Sequence, residues 1–494
     1  MIVFCPLALT AGGSAWRTLR RCLAPARAAG PGENNNNEEH VMRQWLPALA
    51  ALLPLLAGHA WAAGPTPQEA RELASQAYLF AFATAEHGKT LQAIAAKLPV
   101  NYLYNKTALL GPEDRTVVSP NNDTLYSYAL LDLREHPVVL DVPAVPQRYY
   151  SFQLIDMRTN NLDYIGTRAT GRAAGSFLIA GPDWDGQAPE DFKGQVIRSP
   201  SRIVFLLGRT AVDGEADLDA AKAVMDGYKL RSTKPTLLPH KMDVPEYLPT
   251  KEGPAENAFI DFNGLSAWHA WTPEEQARLK QFAPIGVGTG KPFDAKQLPA
   301  DIAQAVEQGA EDGREKIRAA TERFAAPVNG WQNSPINIGH YGNDDLTRAA
   351  VAWKYIYAND PAEAMYPLTR VDAAGQALDG SRAYTLHFAP GQLPPVDAFW
   401  SVTLYDGKTQ MLAANPLNRY AINSASDLKK DADGGLTLTI QHARPASTDN
   451  WLPAPPGPFN LILRMYLPQA KALKGEYQPP AVQPIASNAT TSKE

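Results

Sequence analysis

Two similar segments that lie far apart in the chain constrain its fold more than any other feature of the sequence. The first reads YYSFQLIDMRTNNL at residues 149–162, and the second reads FWSVTLYDGKTQML at residues 399–412. The identical positions are Ser151/Ser401, Leu154/Leu404, Asp156/Asp406, Thr159/Thr409 and Leu162/Leu412. Chance similarity between two amphipathic strands is the alternative explanation, but further matches follow in the same order.

A second pair of segments continues the similarity downstream. SPSRIVFLLGRT at 199–210 resembles APPGPFNLILRMY at 454–466. The aligned positions are Pro200/Pro455, Leu206/Leu461 and Arg209/Arg464. Between these anchors each half carries a Gly-marked turn and another strand, AAGSFLIAG in one half and DGGLTLTIQ in the other. We therefore predict an internal duplication.

The repeated pieces have the pattern of strands. YSFQLID and WSVTLYD alternate in polarity and end in turn-prone residues. Further short strands between Gly and Pro turns predict two packed sheets, or a jelly roll, in each half. Helical periodicity occupies residues 66–90, 217–230, 255–324 and 344–357. The predicted fold class is multidomain and mainly β with helices: two related β-sandwich (jelly-roll-like) modules joined by a helical segment.

The segment that begins at Met42 has the pattern of a secretory signal peptide. One arginine and a short apolar run at 46–57 precede the small-residue sequence Ala60-Trp61-Ala62. This order predicts cleavage after Ala62 and export to the periplasm. The apolar run is too short for a comfortable membrane span, so we expect no span in the mature chain.

These patterns predict seven successive parts of the chain. Their bounds are 1–41 for an upstream extension that is disordered and outside the fold, 42–62 for the signal peptide, 63–100 for an N-terminal helical segment, 101–215 for the N-terminal β-sandwich, 216–360 for a helical segment, 361–470 for the C-terminal β-sandwich and 471–494 for a disordered tail.

Longer strings in both halves resemble a bacterial two-domain family. VVSPNNDTLYSYALLDL, RYYSFQLIDMRTNN and IGTRATG resemble the domain of unknown function 1254. YPLTRVDAAGQALDGSRAYTLHFA, PPVDAFWSVTLYD and NWLPAPPGPFNLILRMYLP resemble its usual companion, the domain of unknown function 1214. The resemblance covers nearly all of the predicted mature chain and implies two β-sandwich domains with a helical part. It implies no reaction.

The sequence lacks the common catalytic and metal-binding motifs. Cys5 and Cys22 both precede the predicted cleavage point, so the mature chain has no thiol nucleophile. It contains no GxSxG elbow and no HxH or HExxH pair, and we predict no metal and no cofactor. A formal net charge of −5 without a Lys/Arg run argues against nucleic acid as a partner. A homo-oligomer is left open.

The segment SPNNDTLYS at 119–127 raises the question of a site. Asn and Asp after Pro form turns well, because their side chains accept bonds from nearby backbone N–H groups. The same side chains would also line a pocket at a sandwich end, where loops gather. The candidate ligand-binding residues here are Asn121, Asn122, Asp123, Tyr126 and Tyr128.

A second polar group of residues could face the same pocket. It follows the strand at 149–155 and continues at the start of the predicted helix at 344–357. The candidates are Arg158, Asn160, Asn161, Asn337 and Tyr341, with Trp451 as a partly exposed stacking residue. Asp123, Asp156 and His340 are the candidate acid–base residues. Turn formation and helix capping explain several of them equally well.

Three functions stay open at this point. The first is a periplasmic protein that binds a polar small molecule or saccharide-like ligand at a sandwich end or domain interface. The second is a hydrolase or lyase that acts on an envelope or nutrient molecule with Asp and His as acid–base residues. The third is a structural module that assembles with like copies. Shifted pKa values in a cleft would favour the second function, and a flat apolar patch would favour the third.

Overall fold

A computed structural model of the protein describes residues 64–114, 119–190, 192–234 and 239–486. The predicted upstream extension and signal peptide lie outside the described residues, so cleavage after Ala62 stays a prediction. From Pro65 onward, the described residues belong to one compact unit.

The first helix begins where its sequence signals predict. Thr66 accepts a bond from the backbone N–H of Glu69, and the Glu69 carboxylate accepts one from the Thr66 backbone. This reciprocal capping satisfies N–H groups that a helix start leaves open, and Pro67 has no N–H to satisfy. The described α-helices are α1 Pro67–Ala95, α2 Leu218–Asp226, α3 Asn257–Leu265, α4 Pro273–Phe282, α5 Ala300–Thr321, α6 Asp345–Tyr355 and α7 Ala470–Leu473.

Four of these helices surround α1 and share an apolar core with it. Phe80 and Phe82 of α1 are fully buried among aromatic residues of α3 and α6. Helix α5 crosses α1 at very short range, because a Cβ at Gly309 would lie 2.2 Å from the backbone oxygen of Arg71. The helical segment therefore forms a layer with its own core.

The N-terminal β module has two sheets. Its strands are β1 Tyr104–Asn105, β2 Thr124–Asp132, β3 Val138–Val142, β4 Tyr150–Ile155, β5 Asn161–Gly166, β6 Gly175–Ala180, β7 Gln195–Arg198, β8 Ile203–Ala211 and β9 Lys229–Ser232. One sheet has the order β1-β2-β8-β4-β5 and the other β7-β6-β3-β9, with β6 and β7 parallel. Apolar side chains from both sheets meet in a single buried cluster.

The C-terminal β module also has two sheets that share an apolar cluster. Its strands are β10 Trp331–Gln332, β11 Ala364–Met365, β12 Leu368–Thr369, β13 Tyr384–Phe388, β14 Val396–Asp406, β15 Ala421–Asn423, β16 Leu436–Gln441, β17 Trp451–Pro453, β18 Phe459–Pro468 and β19 Gln483–Pro484. One sheet has the order β10-β12-β18-β14-β15, with β11 also paired to β18. The other is β17-β16-β13-β19, in which β16 and β17 are parallel.

The strand orders of the two modules correspond. The repeated segments form β4 with β8 and β14 with β18, each pair at the centre of the larger sheet of its module. Ser151 lies opposite Arg209 in one pair, and Ser401 lies opposite Arg464 in the other. The aligned residues of the sequence thus take the same positions in the two strand ladders.

The sheets extend beyond the predicted segment bounds. Strand β9 pairs with β3, although it lies past residue 215, and β19 pairs with β13, although it lies past residue 470. Each is a short edge strand after a helix, and its sequence alone has too few residues to show alternation. As predicted, the chain is multidomain and mainly β with helices; the described residues form several sheets and seven α-helices.

Candidate functional site

The asparagines of the SPNND segment hold a turn. The Asn121 side chain accepts a bond from the backbone N–H of Asp123 at 2.6 Å and donates one to the Thr124 hydroxyl at 2.6 Å. The Asn122 amide donates to the backbone oxygen of Leu110. These bonds bring the chain into β2 and leave the Asp123 carboxylate free of the turn.

Asp123 instead reaches the other module. The Ser401 hydroxyl of β14 donates a 2.6 Å hydrogen bond to its Oδ2, and the side chain is buried with 1% exposure. Its Oδ1 is buried and has no hydrogen-bond partner among the described residues. Burial raises the pKa of Asp123, while the charge of Arg464 and the bond from Ser401 oppose that rise. A buried carboxylate with an unmatched oxygen is costly, unless another molecule completes it.

Arg464 of β18 lies beside this carboxylate. Its guanidinium donates to the Thr403 hydroxyl at 2.9 Å and to the backbone oxygen of Ser119 at 3.0 Å. It also lies 5.6 Å from the centre of the Tyr405 ring. Arg464 thus joins the turn of one module to the sheet of the other.

Glu363, directly before β11, makes the reciprocal contact. It accepts bonds from the Tyr149 hydroxyl at 2.8 Å and from the Arg168 side chain at 2.5 Å, both from the N-terminal module. The same Tyr149 hydroxyl lies 3.0 Å from the Ser151 hydroxyl. Burial raises the pKa of Glu363, and the bonds from Arg168 and Tyr149 oppose it. Each module therefore sends one buried acid toward the serine on the central strand of the other.

A tyrosine and an arginine accompany each acid. Tyr126 lies three residues after Asp123 and opposite Arg209 of β8. Tyr366 lies three residues after Glu363, and the pairing of β11 and β12 with β18 places it opposite Arg464. We call Asp123, Tyr126, Arg209, Glu363, Tyr366 and Arg464 the module-interface cluster.

Tyr366 lies near both arginines of the cluster, Arg209 and Arg464. Burial raises the pKa of its phenol, and the charges of Arg209 and Arg464 both act to lower it. Its hydroxyl accepts a 2.6 Å bond from Asn359, whose side-chain oxygen in turn accepts one from Arg209 at 3.2 Å. Both guanidiniums therefore act on one phenol at the boundary of the modules.

The two guanidiniums of the cluster share a feature that is unusual for buried charges. Arg209 is 7% exposed and Arg464 is 4% exposed, and all hydrogen-bond acceptors of both within the described residues are neutral oxygens. Buried charges are usually paired with an opposite charge. The cluster therefore has positive charge that the described side chains do not match with an ion pair.

Asp156 and Arg158, which follow β4, make contacts outside the module-interface cluster. Asp156 accepts bonds from the backbone N–H groups of Arg158 and Asn160 and closes a turn. The buried Arg158 forms ion pairs with Asp345 at 3.0 Å and Glu275 at 3.3 Å. These contacts attach the N-terminal module to the helical layer, which is a structural role.

Asn161 and His340 connect with the cluster through a chain of hydrogen bonds. His340, whose side chain is 65% exposed, lies 2.8 Å from Asp360, which accepts a 2.7 Å bond from Asn161. Gln153 donates to Asn161 at 2.6 Å and accepts from Arg209 at 2.8 Å. This series of hydrogen bonds links the exposed imidazole of His340 to the buried guanidinium of Arg209.

The remaining candidates take other places. The Asn160 side chain accepts a bond from Arg348, and the buried Tyr341 lies under the same guanidinium. Asn337 donates to Asp344, the cap of α6. Tyr128 packs against Tyr104 with the two rings tilted by 50° and their centres 5.0 Å apart.

The prediction of a partly exposed Trp451 is wrong. Its side chain is 5% exposed and its indole N–H donates to the backbone oxygen of Gln441. Trp451 begins β17, which pairs with β16, so its ring packs inside the module although its sequence context is rich in proline.

Sequence reasoning missed most of the cluster. Arg209, Arg464 and Ser401 stand out in the sequence only as repeated positions, which by themselves do not indicate a site. Glu363 and Tyr366 carried a signal that was available, since acid-x-x-Tyr occurs at 123–126 and again at 363–366, before matching strands.

Metal and membrane features are absent from the described part of the chain. No group of three or more His, Cys, Asp or Glu side chains there is arranged to hold a metal ion. Of the helices described, none has both the length and the apolar character of a membrane span.

Fold and cluster together define a class of protein: two β modules with a helical layer and a buried polar cluster at the module boundary. Residues 100–232 match the family model described as "Protein of unknown function (DUF1254)", and residues 363–470 match the one described as "Protein of unknown function (DUF1214)". The chain therefore carries both domains of this two-domain family, in the predicted order.

Two solved structures are similar to this chain. The VPA0106 protein from Vibrio parahaemolyticus has 25% sequence identity and a TM-score of 0.67, over 84% of this chain and 100% of its own. A putative uncharacterized protein from Burkholderia cenocepacia has 14% identity and a TM-score of 0.41, over 87% of this chain and 97% of its own. No curated protein matches the chain.

Proposed function

We propose that this protein binds a polar small molecule in the module-interface cluster. The observation that carries the proposal is the Asp123 carboxylate, which is buried at the module boundary with one oxygen unmatched among the described residues. A ligand that donates to this oxygen would remove the cost of burying it. Tyr126 and Tyr366 belong to the same cluster, are intermediate in burial, and carry aromatic rings on which such a ligand could pack.

A thermal-shift screen of polar small molecules tests this function. We expect some compounds to raise the Tm of the wild-type protein and to lose that effect in Asp123→Asn, because the variant keeps the shape of the side chain without its charge. Asp397→Asn, at an exposed position of the same strand as Ser401, is the matched control and should respond as wild type does. Equal shifts in wild type and Asp123→Asn would contradict a role for this carboxylate.

A second candidate is a hydrolase or lyase with Asp123 as its acid–base group. The observation that favours it is that burial raises the pKa of both Asp123 and Glu363, which brings them nearer to the range of acid–base catalysis. Incubation with an extract of periplasmic metabolites, followed by mass spectrometry, tests it. We expect wild type to consume a compound that folded Asp123→Asn leaves intact. An extract that wild type leaves unchanged would contradict the enzyme and favour binding alone.

We further propose that the mature protein begins at Ala63 in the periplasm. The support is the charged start, apolar run and small-residue end of residues 42–62. N-terminal sequencing of the protein from a periplasmic fraction should begin at Ala63. A cytoplasmic protein that keeps Met42 would refute export.

We also propose that the modules are two related β-sandwiches derived by duplication. Corresponding strand orders, the equivalent Ser–Arg pairs and the apolar cluster that each pair of sheets shares all support this origin. In an experimental structure, Ser151 should superpose on Ser401 and Asp156 on Asp406. Assembly of like copies through these modules is a separate proposal, which light scattering on the purified protein tests.

A further inference from the structure

We propose that residues 357–360 form an acid-sensitive strap, which closes the polar face of the N-terminal sheet beside the module-interface cluster and is released when His87 is protonated. The strap follows α6, lies in no helix or strand, and accepts hydrogen bonds from side chains of β4, β5 and β8. The inference rests on the proposed function for what the strap covers, because it concerns the regulation of that same site.

The first step concerns what the strap covers. The backbone oxygen of Tyr357 and the side-chain oxygen of Asn359 accept bonds from Arg209 at 3.4 Å and 3.2 Å. The carboxylate of Asp360 accepts a 2.7 Å bond from Asn161. Arg209 and Asn161 are buried, with 7% and 2% exposure. Displacement of the strap would therefore uncover polar groups that lead to the cluster.

The second step concerns His87 of α1, on which the inner end of the strap rests. The Nδ1 atom of His87 lies 2.8 Å from the Tyr357 hydroxyl, and the two rings meet edge to face with their centres 5.5 Å apart. His87 is 0% exposed, and its Nε2 atom is buried with no hydrogen-bond partner among the described residues. A protonated imidazole would carry an N–H donor at Nε2 that no described acceptor reaches, which is costly for a buried cation.

The third step concerns the charges around His87. Besides the neutral Tyr357 phenol, the titratable group that acts on His87 from a neighbouring element is Asp156, in the turn after β4. Its carboxylate already accepts the backbone N–H groups that close this turn. Strand β8 contributes Phe205, an uncharged ring. Burial outweighs the charge of Asp156 and lowers the pKa of His87 to about 4. Acid below the usual histidine pKa therefore favours a conformation in which His87 reaches solvent.

The fourth step identifies Tyr357 as the part of this contact that moves. Its φ is 65°, which is uncommon for a bulky residue and persists only where surrounding contacts hold it. Tyr357 is partly exposed, whereas Phe205, the other ring packed on His87, is 4% exposed and lies in the central strand of its sheet. At the outer end, Asp360 lies 2.8 Å from the exposed His340, and acid strengthens such a pair by charging the imidazole. The strap should therefore open from its Tyr357 end.

Hydrogen exchange of the purified protein, read by mass spectrometry at pH 7.5 and pH 5.0, tests the strap. The reporting amide is that of Asp360, which donates to the Tyr164 hydroxyl at 3.0 Å. After correction for the slower chemical exchange in acid, we expect its protection to fall about 30-fold, because His87 gains its proton far more readily in the open form than in the closed one. Strand β3 should keep its protection. An unchanged strap, or an equal loss in β3 through general unfolding, would overturn the proposal.

Two variants assign the response to one histidine. In His87→Gln the side chain stays uncharged and its amide can still bond to the Tyr357 hydroxyl, so exchange in the strap should no longer depend on pH. His340→Gln, at the outer end of the same strap, is the matched control and should respond to pH as wild type does. A response that survives in His87→Gln, or that disappears in His340→Gln, would overturn the assignment. If His87→Gln does not fold, the comparison of strap and β3 in wild type, together with His340→Gln, still decides.

The outcomes also separate this inference from the proposed function, because the exchange measurement needs no ligand. If the strap opens in acid but no compound of the thermal-shift screen binds, the strap stands and the proposed function falls. If compounds bind in an Asp123-dependent way while exchange in the strap does not change with pH, the proposed function stands and the strap is wrong.

Discussion

Asp123 shows how one residue can satisfy two different expectations. The turn that its neighbours predict does form, but Asn121 and Asn122 hold it, and the acid that follows is directed across a module boundary. Ser401 covers one carboxylate oxygen and leaves the other for a further donor. At the scale of the residue, the choice of Asp rather than a third Asn therefore matters for charge rather than for turn geometry.

Asp261 of α3 is another buried acid, and its raised pKa should make the free energy of unfolding depend on pH. Burial raises the pKa of Asp261 to about 7, the charge of Glu86 adds to the rise, and the Leu248 N–H opposes it. Because the folded pKa exceeds the unfolded one, stabilisation by this group is complete below the usual pKa of an aspartate. This stabilisation is lost as the pH rises to 7 and above, where the folded protein releases the Asp261 proton.

Asp261→Asn should therefore change stability in a pH-dependent way. The amide stays neutral and can still accept the Leu248 bond, so we expect the variant to gain about 4 kcal/mol in stability relative to wild type between pH 4 and pH 8. Urea unfolding at both pH values measures the difference. Asp219→Asn, an exposed position on α2, is the control. A difference that does not change with pH would contradict the raised pKa.

Within a strand or helix, the face on which a residue lies determines which residues it can contact. In β2, Leu125 and Ala129 point to the core of their module, and Tyr126, at the alternate position, points to the boundary. The same alternation in β18 turns Leu463 inward and Arg464 outward. Strand pairing then sets the register, so each arginine lies beside its tyrosine.

Close packing of two helices gives a prediction at this scale. A Cβ at Gly309 of α5 would lie 2.2 Å from the Arg71 backbone oxygen and 2.8 Å from the Ala74 Cβ. Gly309→Ala should therefore force α1 and α5 apart and lower the free energy of unfolding by about 1–3 kcal/mol. Gly264→Ala is the control, because the nearest atom there would be 3.5 Å away and alanine favours helix. Denaturant unfolding measures the free energy of unfolding of both variants. Equal values for Gly309→Ala and Gly264→Ala would contradict the prediction.

At the scale of the whole molecule, the modules are joined by reciprocal polar contacts. Asp123 binds the serine of the C-terminal module, and Glu363 binds Tyr149 beside the serine of the N-terminal module. Arg158 attaches the N-terminal module to the helical layer as well. These contacts are buried. Separation of the modules would therefore leave these polar and charged groups without their hydrogen-bond and ion-pair partners.

A double-mutant cycle tests this connection between modules. Asp123→Ala and Ser401→Ala remove the two partners of one 2.6 Å bond, so their effects on the free energy of unfolding should be non-additive by about 1 kcal/mol. Asp123→Ala combined with Thr437→Ala, in the smaller sheet of the C-terminal module, should be additive. Additive effects in the first pair would mean that the bond does not connect the modules in solution.

The local structure and the order of the parts can be predicted from the amino-acid sequence. Capping residues indicate the start of α1, alternation indicates β4 and β14, and the strings at 117–133 and 366–389 indicate the two-domain family, because each of these signals lies within a short stretch of chain. Three features could not be predicted in this way: the contacts of Asp123 with Ser401 and Arg464, the connection of Asn161 to Arg209 through Gln153, and the burial of Trp451. Such contacts join residues up to hundreds of positions apart, and they depend on how sheet faces pack across the module boundary, which no local pattern encodes.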